Sequence, residues 1–543
     1  MKHILDTLRH SSGFRWTLFL VLTLTILSVE TLAGEQSWWQ FRGPGGNGHT
    51  TATKLPIEWD ESRNVAWKTD IHDRGWSSPV IWRNQIWMTT ATRDGHRVFA
   101  VCIDKDTGRI LHDLHIFDVE NPMRITDENT YATPTPVIED GHVFVHFGTY
   151  GTACLDTATG QNIWTRRDLN CDHEAGAGPA SSPTLIDGNL VIHVDGRDVQ
   201  YIVALAGSTG ETVWKTKRSI DFTDIPVHHR KAFCMPSVIP RGDGRQLVSP
   251  GGRAVYSYDL KGRELWRVQH RGFSVAPRPV YGHNLVFAII DRDNPELWAI
   301  RPDGDGDVTD THIAWKEFKS MPQRCSPMLV GDLLYLVNRE GIASCLQAKT
   351  GELVWRERLN GRYSASPIYA QNRIYLFNED ATTTIIRPGR ELNIVATNAI
   401  AKQRLLATPA VDGNALIIRT ENHLYRIENR TTNPNEPETT TPGEPKGSKS
   451  TFVGDWDIGK SNASEKPVFV MTLNADLTAR KSHVPGATGK WQLVNGEARI
   501  IWSDGWRDVI RPEGDHFRKI AFRPGNDFDS TPANQDTAQR SSK

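Results

Sequence analysis

The sequence predicts an all-β protein, an eight-bladed β-propeller of four-stranded blades followed by a small antiparallel β-barrel-like domain. Two short signals recur along residues 64–428 at intervals of roughly 40 to 57 residues, a period typical of propeller blades or helical arrays. The runs between them, such as Val143–Phe147 and Leu333–Val337, are short, β-branched or aromatic, and bounded by turn residues. Such runs predict strands, and four short strands per repeating unit indicate a propeller.

The first signal is a hairpin whose turn contains Asp, Thr and Gly and whose return strand carries Trp. In Ala153–Trp164 the turn runs from Asp156 to Gly160, and glycine adopts a positive φ there at little cost. The first copy has His112 in place of Trp, and a degraded copy ends at Val395. The tryptophans of the other copies are Trp164, Trp214, Trp266, Trp315 and Trp355.

The second signal is a residue, usually small or polar, followed by Pro and an apolar strand. The eight pairs are Ser78-Pro79, Thr135-Pro136, Ser182-Pro183, Met235-Pro236, Arg278-Pro279, Ser326-Pro327, Ser366-Pro367 and Thr408-Pro409. The eighth unit stops at Glu428 before its last strand, whereas residues 64–71 look like a return strand without a partner. We therefore expect residues 64–71 to complete the last blade and close the ring, which removes exposed strand edges.

The pattern Ala-x-Asp-x-x-Thr-Gly-x-x-x-Trp resembles the tryptophan-docking motif of the quinoprotein-like (PQQ-repeat) β-propeller family, over about residues 64–428. In that family each such Trp packs between neighbouring blades, which implies a blade-docking role for the five tryptophans named above. Residues 38–44, Trp-Trp-Gln-Phe-Arg-Gly-Pro, are similar to the opening Trp-x-x-Phe-Arg-Gly-Pro of exported bacterial PQQ-binding-like propeller proteins.

The first residues have the features of a secretory signal peptide, predicted over residues 1–33. Basic residues precede the apolar run from Trp16 to Val29, and small residues follow. An uncleaved anchor is the alternative. Cleavage predicts an exported protein, periplasmic or extracellular, without a transmembrane anchor. Residues 34–63 then form an N-terminal capping segment, in which two Trp and one Phe cover apolar surface of the propeller.

A second domain is predicted after a linker. Residues 429–450 are rich in Pro, Thr, Asn and Glu and predict a disordered linker. Residues 451–525 alternate like an antiparallel meander, predict a small half-open barrel, and begin with a Gly-x-Trp similar to that of lipocalin-like barrels. Residues 526–543 predict a disordered tail. One hypothesis places a ligand pocket of this domain at Trp502, Trp506 and His516. The alternative is that Trp502 is a core residue and that Trp506 packs in a turn.

Charge and cysteine content restrict the partners. The formal net charge of −1 argues against nucleic acid or an anionic membrane surface, and we expect a monomer. Three cysteines share one repeat position and predict small core residues, namely Cys102, Cys154 and Cys345. The other three lie near blade starts, and a disulfide among them stays open: Cys171, Cys234 and Cys325.

Candidate ligand-binding residues lie in the loops before the innermost strands, because such loops line the mouth of a propeller channel. They are Arg74, Trp76, Tyr131, Asp172, His173, Glu174, Arg324 and Tyr363. Arginine together with aromatic residues suits an anionic or sugar-like ligand. The alternative is that these are ordinary polar loop residues in contact with water. The run Asp172–Glu174 suits acid–base or metal chemistry or a structural role. No catalytic residue and no metal site is assigned.

Two functions remain open. The first is an exported, non-catalytic binding or scaffold module for a protein, an envelope polymer or a small anionic or sugar-like ligand at the channel mouth. The alternative is a PQQ-dependent dehydrogenase of alcohols or sugars, which the name of the repeat implies. Family members of that class carry a vicinal disulfide, and this chain has no adjacent cysteines. No cofactor is therefore assigned, and PQQ stays open without specific residues to support it.

Overall fold

The structure is a computed structural model that describes residues 37–173, 177–400 and 402–430 and, further on, 452–459, 467–484, 486–494, 497–513, 516–526, 528 and 531–541. The predicted signal peptide, Glu174 and most of the predicted linker lie outside the described residues. The chain divides into two units between residues 431 and 432, and each unit is considered by itself.

Eight antiparallel sheets form the predicted propeller within the described part of the first unit. The strand β1 (Val65–Asp70) comes first in the chain and belongs to blade 8. Blade 1 contains β2 (Val80–Trp82), β3 (Gln85–Ala91), β4 (Arg97–Asp104) and β5 (Ile110–Asp118), and blade 2 contains β6 (Val137–Glu139), β7 (His142–His146), β8 (Thr152–Asp156) and β9 (Asn162–Arg166). Blade 3 contains β10 (Thr184–Ile186), β11 (Asn189–Asp195), β12 (Gln200–Ala206) and β13 (Thr212–Lys217). Blade 4 contains β14 (Ser237–Arg241), β15 (Gly244–Pro250), β16 (Ala254–Tyr258) and β17 (Glu264–Gln269).

The remaining blades follow the same order. Blade 5 contains β18 (Val280–Gly282), β19 (Leu285–Ile290), β20 (Glu296–Ile300) and β22 (Ile313–Glu317), and blade 6 contains β23 (Met328–Val330), β24 (Leu333–Val337), β25 (Ile342–Gln347) and β26 (Leu353–Arg358). Blade 7 contains β27 (Ile368–Ala370), β28 (Arg373–Phe377), β29 (Thr382–Arg387) and β30 (Asn393–Ala399). Blade 8 contains β31 (Ala410–Asp412), β32 (Ala415–Arg419), β33 (His423–Ile427) and β1. The insertion in blade 5 carries β21 (Gly306–Asp307), which pairs in parallel with β17 of blade 4.

The first strand of each blade lies nearest the axis. First strands of neighbouring blades approach one another, as β2 does with β6 and β31. Second strands are almost wholly buried, whereas fourth strands such as β13 alternate between exposed and half-buried residues. The connections into the first strands therefore gather on one side of the ring, here called the mouth face. The Thr-Gly turns lie on the opposite side, the turn face.

The predicted docking tryptophans join each blade to the next. Each donates its indole N–H to a backbone carbonyl after the third strand of the following blade: Trp164 to Gly207 at 2.6 Å, Trp214 to Leu260 at 3.0 Å, Trp266 to Pro302 at 3.0 Å, Trp315 to Ala348 at 3.1 Å and Trp355 to Gly389 at 3.1 Å. The turn glycine explains its place in the repeat. Gly210 has φ +73°, and a Cβ there would lie 2.6 Å from the ring of Trp164. Glycine therefore serves both the turn and the close approach of the indole.

The residue before each proline also links blades. Its backbone N–H donates to the hydroxyl of the corresponding residue in the next blade: Ser78 to Thr135 at 3.0 Å, Thr135 to Ser182 at 2.9 Å, Arg278 to Ser326 at 3.0 Å, Ser326 to Ser366 at 3.0 Å, Ser366 to Thr408 at 2.9 Å and Thr408 to Ser78 at 3.0 Å. Met235 and Arg278 offer no hydroxyl, so the ring is interrupted there. This pattern explains why Ser and Thr recur before proline.

The two ends of the propeller sequence close the ring together, as predicted. β1 pairs antiparallel with β33, with Val65 opposite Ile427 and Asp70 opposite His423. Blade 7 lacks a docking Trp at Val395, and Trp59 from the N-terminal segment is buried in the same apolar cluster. The Trp59 ring stacks on Tyr375 at 6.5 Å, and its backbone N–H donates to Asn398 Oδ1 at 2.9 Å. The segment thus adds an indole where the repeat lacks one.

Residues 37–50, the axial segment, run along the inner edges of the first strands. The carbonyl of Trp38 accepts the N–H of Ile81 in β2 at 2.8 Å, and Trp39 O accepts that of Ile138 in β6 at 3.0 Å. In blade 7, Gly48 O accepts the N–H of Tyr369 in β27 at 2.9 Å. The segment was expected to cover apolar surface. Its backbone also pairs with strand edges that face the axis, so it fills the channel.

The second unit forms a closed antiparallel barrel in its described residues. Its strands are β34 (Gly454–Ile458), β35 (Phe469–Leu473), β36 (Thr478–Lys481), β37 (Thr488–Val494), β38 (Glu497–Trp502), β39 (Arg507–Glu513), β40 (His516–Phe522) and β41 (Asn534–Arg540). The predicted disordered tail is wrong for β41, which pairs with both β40 and β34 and closes the barrel. The polar sequence of β41 concealed this, because backbone bonds rather than apolar side chains hold the strand.

The barrel core contains aromatic residues that the sequence hypothesis partly assigned to a ligand pocket. Trp502 is buried and donates its indole N–H to Asp508 Oδ2 at 2.7 Å, and it belongs to the same apolar cluster as the buried Trp456. His516 is exposed and lies 3.6 Å from Glu513. Trp502 and His516 therefore do not form one pocket, and Trp502 acts as core.

Candidate functional site

The connection between blades 1 and 2, residues 119–136, crosses the mouth of the channel and is here called the mouth loop. Its Glu128 reaches blade 6, which lies opposite blade 2 in a ring of eight. Arg324 Nη2 donates to Glu128 Oε2 at 2.6 Å, and Arg339 Nη2 donates to Glu128 Oε1 at 2.5 Å. One carboxylate thus spans the mouth and binds two guanidinium groups.

Glu379 completes this mouth cluster, defined as Glu128, Arg324, Arg339 and Glu379. Glu379 Oε1 lies 3.9 Å from both Arg324 Nη1 and Arg339 Nε, and accepts a hydrogen bond from Ser364 at 2.6 Å. The hydrogen bond from Arg339 is the main cause that lowers the pKa of Glu128 to about 2. Burial, followed by the charge of Arg339, lowers the pKa of Arg324. Two close cations favour an anion between them.

A second set of contacts ties the mouth loop to blades 1 and 8, on its own side of the ring. Arg404 Nη1 donates to the carbonyl of Asp127 at 2.9 Å, and Arg74 Nη2 donates to the same oxygen at 3.3 Å. Arg74 also lies 3.5 Å from Glu421. The Arg404 guanidinium stacks 5.3 Å from the centre of the Trp76 ring. Blades 1, 6 and 8 therefore all hold the loop, chiefly through charges.

Two cavities open beside the loop. One of about 210 Å³ is lined by Arg74, Arg93, Arg124 and Tyr131. The other, of about 700 Å³, lies along blade 7 and includes Glu379 and Arg404. Arginine recurs in both walls, beside Asp127 in the first cavity and beside Glu379, Asp380 and Lys402 in the second. The arginines can bind anionic groups on a partner.

The predicted aromatic residues lie under this surface. Trp76, Tyr131 and Tyr363 are 5%, 5% and 1% exposed. Tyr131 donates to the carbonyl of Met123 at 2.7 Å, and burial raises the pKa of Tyr363 to about 12. They form the wall of the mouth and offer no open ring face for stacking.

The run Asp172–Glu174 is held by structural contacts in its described part. Arg197 Nη2 donates to Asp172 Oδ2 at 2.5 Å. The His173 ring is buried, with Nε2 3.4 Å from Cys171 Sγ, and burial lowers its pKa to about 4. Glu174 lies outside the described residues. Among the described residues no three His, Cys, Asp or Glu side chains come together as a metal site.

Sequence reasoning missed three members of the mouth cluster. Arg339 and Glu379 lie in the connections between second and third strands, which also reach the mouth face but carry neither of the two repeat signals. Glu128 lies in an unusually long connection, which was the available signal. The six cysteines, all described, are free and buried. No disulfide therefore joins any two of Cys171, Cys234 and Cys325 in the structure.

The quinone that the repeat name implies does not fit the described mouth. PQQ is a flat anion with several carboxylates, and it needs an accessible cationic site. Glu128 already occupies the Arg324–Arg339 pair, and Glu379 stands next to both arginines. Even where Glu128 moves away, the rings of Trp76, Tyr131 and Tyr363 stay buried, so none of the three leaves an open aromatic face on which a flat quinone could stack. The described channel below is filled by the axial segment.

A profile of the family described as outer membrane protein assembly factor BamB matches residues 77–216 and 255–387, which together make up half of the chain. A curated BamB of Alkalilimnicola ehrlichii is 24% identical over 214 residues, which cover 38% of this chain and 51% of the relative. The chain thus spans about half the length of that relative.

Among solved structures, a europium-containing methanol dehydrogenase has a TM-score of 0.55 at 9% identity, covering 72% of this chain and 91% of that one. A quinohemoprotein alcohol dehydrogenase of Comamonas testosteroni has a TM-score of 0.50 at 10% identity, covering 77% and 84%. At such identities the likeness concerns the fold alone. Within the described residues, no helix has both the length and the apolar character that crossing a membrane requires.

Proposed function

This chain belongs to the outer membrane protein assembly factor BamB family, and on that premise we propose that it is an exported, non-catalytic propeller that binds a protein partner at its mouth face. The proposed location is the periplasm, in association with the outer membrane. The propeller is the scaffold, and the mouth cluster with its surrounding arginines is the binding surface.

The observation that carries this proposal is the carboxylate already bound at the mouth. Glu128 comes from the chain itself and occupies two arginines of a distant blade at 2.6 and 2.5 Å. An acidic side chain or a C-terminal carboxylate of a partner has the same chemistry. Such a partner would exchange with Glu128 rather than fill an empty pocket.

A protein partner is favoured over a sugar-like ligand because of the buried aromatic residues. Sugars are usually held by stacking on open aromatic faces, and Trp76, Tyr131 and Tyr363 are nearly covered. The arginines, in contrast, remain partly accessible: the side chains of Arg324 and Arg339 are 25% and 20% exposed. Charge-assisted bonds to an acidic segment are therefore the supported mode.

Site-specific photocrosslinking in producing cells tests the proposal. A crosslinker at Arg362 or Lys402, both exposed beside the mouth, should give one discrete protein adduct. Crosslinkers at Arg83 and Asp140, exposed on the turn face, are the matched controls. Equal adducts from both faces would place the partner elsewhere.

Substitutions in the mouth cluster should change the amount of the mouth adduct in opposite directions. Arg324→Ala with Arg339→Ala should lower the mouth adduct at least tenfold, whereas Glu128→Gln should raise it because the competing carboxylate is removed. A loss of adduct in Glu128→Gln would contradict the exchange. Titration of the purified protein with PQQ and Ca²⁺ tests the dehydrogenase alternative; saturable binding with turnover of an alcohol or aldose would overturn the proposal.

A further inference from the structure

Two arginines are buried on the axis of the propeller without a carboxylate partner. Arg42 in the axial segment is 0% exposed and Arg278 before β18 is 3% exposed. No described carboxylate lies within 4 Å of either guanidinium, and both are absent from the ion pairs of the propeller. Burying a charge without a counter-charge is costly, so each such group requires an explanation.

The two guanidinium groups pack against one turn. A Cβ at Gly46 would lie 2.1 Å from Arg278 Nη1, and one at Gly48 would lie 3.1 Å from Arg42 Nη2. Burial, followed by the charge of Arg278, lowers the pKa of Arg42 to about 9. Burial lowers the pKa of Arg278 to about 10. Two positive charges therefore lie in one buried region, where they repel each other and cannot neutralise each other.

Neutral acceptors satisfy only part of these donors. Arg278 donates from Nε to Ser237 Oγ at 3.2 Å and from Nη1 to the carbonyl of Phe41 at 3.0 Å and to Gln40 Oε1 at 3.3 Å. Arg42 Nη2 donates to the carbonyls of Asn47 and Pro327, each at 2.9 Å, while its Nε and Nη1 have no acceptor among the described residues. The indole N–H of Trp38 in the same segment is also buried without an acceptor. The unsatisfied groups in this segment are N–H donors, which calls for a species that only accepts.

Other buried arginines of the propeller show the contrast. Arg218 is equally buried, but Asp195 Oδ2 lies 2.6 Å away and pairs with it. Arg419 lacks a carboxylate, and its Nε has no acceptor, but both terminal nitrogens donate, to Ser77 and Thr89, and no second cation affects its pKa. Only the Arg42–Arg278 region combines two buried cations with orphaned donors among the described propeller arginines. Arg42 also holds a φ of +62°, a strained conformation for a residue with a side chain.

We propose that the axis of the propeller holds a small inorganic anion between Arg42 and Arg278, enclosed by the axial segment and the ring of hydroxyls before the prolines. The anion neutralises the two guanidinium groups and accepts the unsatisfied N–H groups at Nε and Nη1 of Arg42. This proposal does not depend on the proposed partner at the mouth. Chloride is the probe, with phosphate as a second, larger anion.

Thermal unfolding of the full mature chain tests the site. Chloride is varied against gluconate at constant ionic strength. An ion that binds only the folded state raises the folded-to-unfolded ratio about 100-fold at a concentration 100 times its dissociation constant. We expect the midpoint to rise with the logarithm of chloride concentration. An unchanged midpoint would overturn the proposal, because water satisfies the donors without this dependence. Phosphate at equal concentration shows whether the site selects by size.

Variants locate the effect. Arg42→Met should abolish the chloride dependence, and Arg278→Met is the second variant if the first does not fold. Arg419→Met is the matched control, a buried arginine whose loss should lower the midpoint but leave the chloride dependence intact. Retained dependence in both Arg42→Met and Arg278→Met would overturn the assignment. In crystals of the full chain grown with bromide, the anomalous peak should lie between the two guanidinium groups; a peak found only elsewhere would contradict the site.

Discussion

The interior of the propeller channel and its mouth are closed by different physical means. The axial segment fills the interior with buried side chains and with backbone bonds to three innermost strands. The mouth loop covers the mouth with residues 120–129, which are exposed or half-buried, and is held by Arg74, Arg324, Arg339 and Arg404. Apolar and backbone contacts hold the axial segment in place, whereas partly exposed ion pairs are weaker and are screened by salt. The axial segment is therefore part of the core, and we expect the mouth loop to open more easily.

The largest expected effect comes from truncating the axial segment's buried indole. Trp38 is 1% exposed and joins the cluster that connects blades 1, 7 and 8. Trp38→Ala should lower the free energy of unfolding by about 3–5 kcal/mol, measured by urea denaturation of the full chain. Phe318→Ala is the control, because Phe318 is 62% exposed and its loss should change stability by less than about 0.5 kcal/mol. Equal effects would mean that the axial segment is not core.

A smaller effect is expected from crowding the same segment. Gly48 has φ +80°, and a Cβ there would lie 2.7 Å from the carbonyl of Pro367. Gly413 has φ +54° with nothing within 4 Å of a Cβ, so Gly413→Ala should show only the backbone cost of about 1–2 kcal/mol. Gly48→Ala should cost about 1–3 kcal/mol more. Matching midpoints of the two variants in thermal unfolding would contradict close packing at Gly48.

A substitution in the mouth loop should change the mobility of the loop more than the global stability of the protein. Glu128→Gln removes the charge that joins the loop to blade 6, and we expect a change of no more than about 1 kcal/mol in global stability. Amide hydrogen exchange of residues 124–130 should nevertheless accelerate several-fold, because the loop opens locally. Glu120→Gln, at an exposed position of the same loop, should leave the exchange unchanged. Loss of protection across whole blades would show that the loop is part of the core after all.

The smallest effect concerns pH. The pKa of Glu128 is lowered to about 2 in the folded protein, below its ordinary value near 4.5. Its contribution is therefore fully present above about pH 4.5 and is lost as the pH falls through 2. Protection of the mouth loop should weaken from pH 5 to pH 2 more strongly in the wild type than in Glu128→Gln. Parallel pH profiles of the two proteins would rule out Glu128 as the titrating contact.

Repetition made the propeller predictable, whereas single contacts were not. The turn glycines and docking tryptophans recur, so the blade count and the closing role of residues 64–71 followed from the pattern. Glu128 appears once and matters only because folding carries it across the ring to Arg324, which no local pattern encodes. The strand β41 was missed for a related reason: its polar residues lack the alternation that marks a strand, and its place depends on the edges of β34 and β40.

Closure of blade 8 by β1 and β33 also fixes an order of events in time. Val65 pairs with Ile427, so β1 is made first and waits for its partner until almost all of the propeller has been synthesised. Contacts between residues far apart in sequence form slowly because a long loop must be closed first. The open ring that precedes closure exposes strand edges and is the species most prone to aggregate. We therefore expect refolding to be limited by this last pairing, and a disulfide between β1 and β33 to accelerate it.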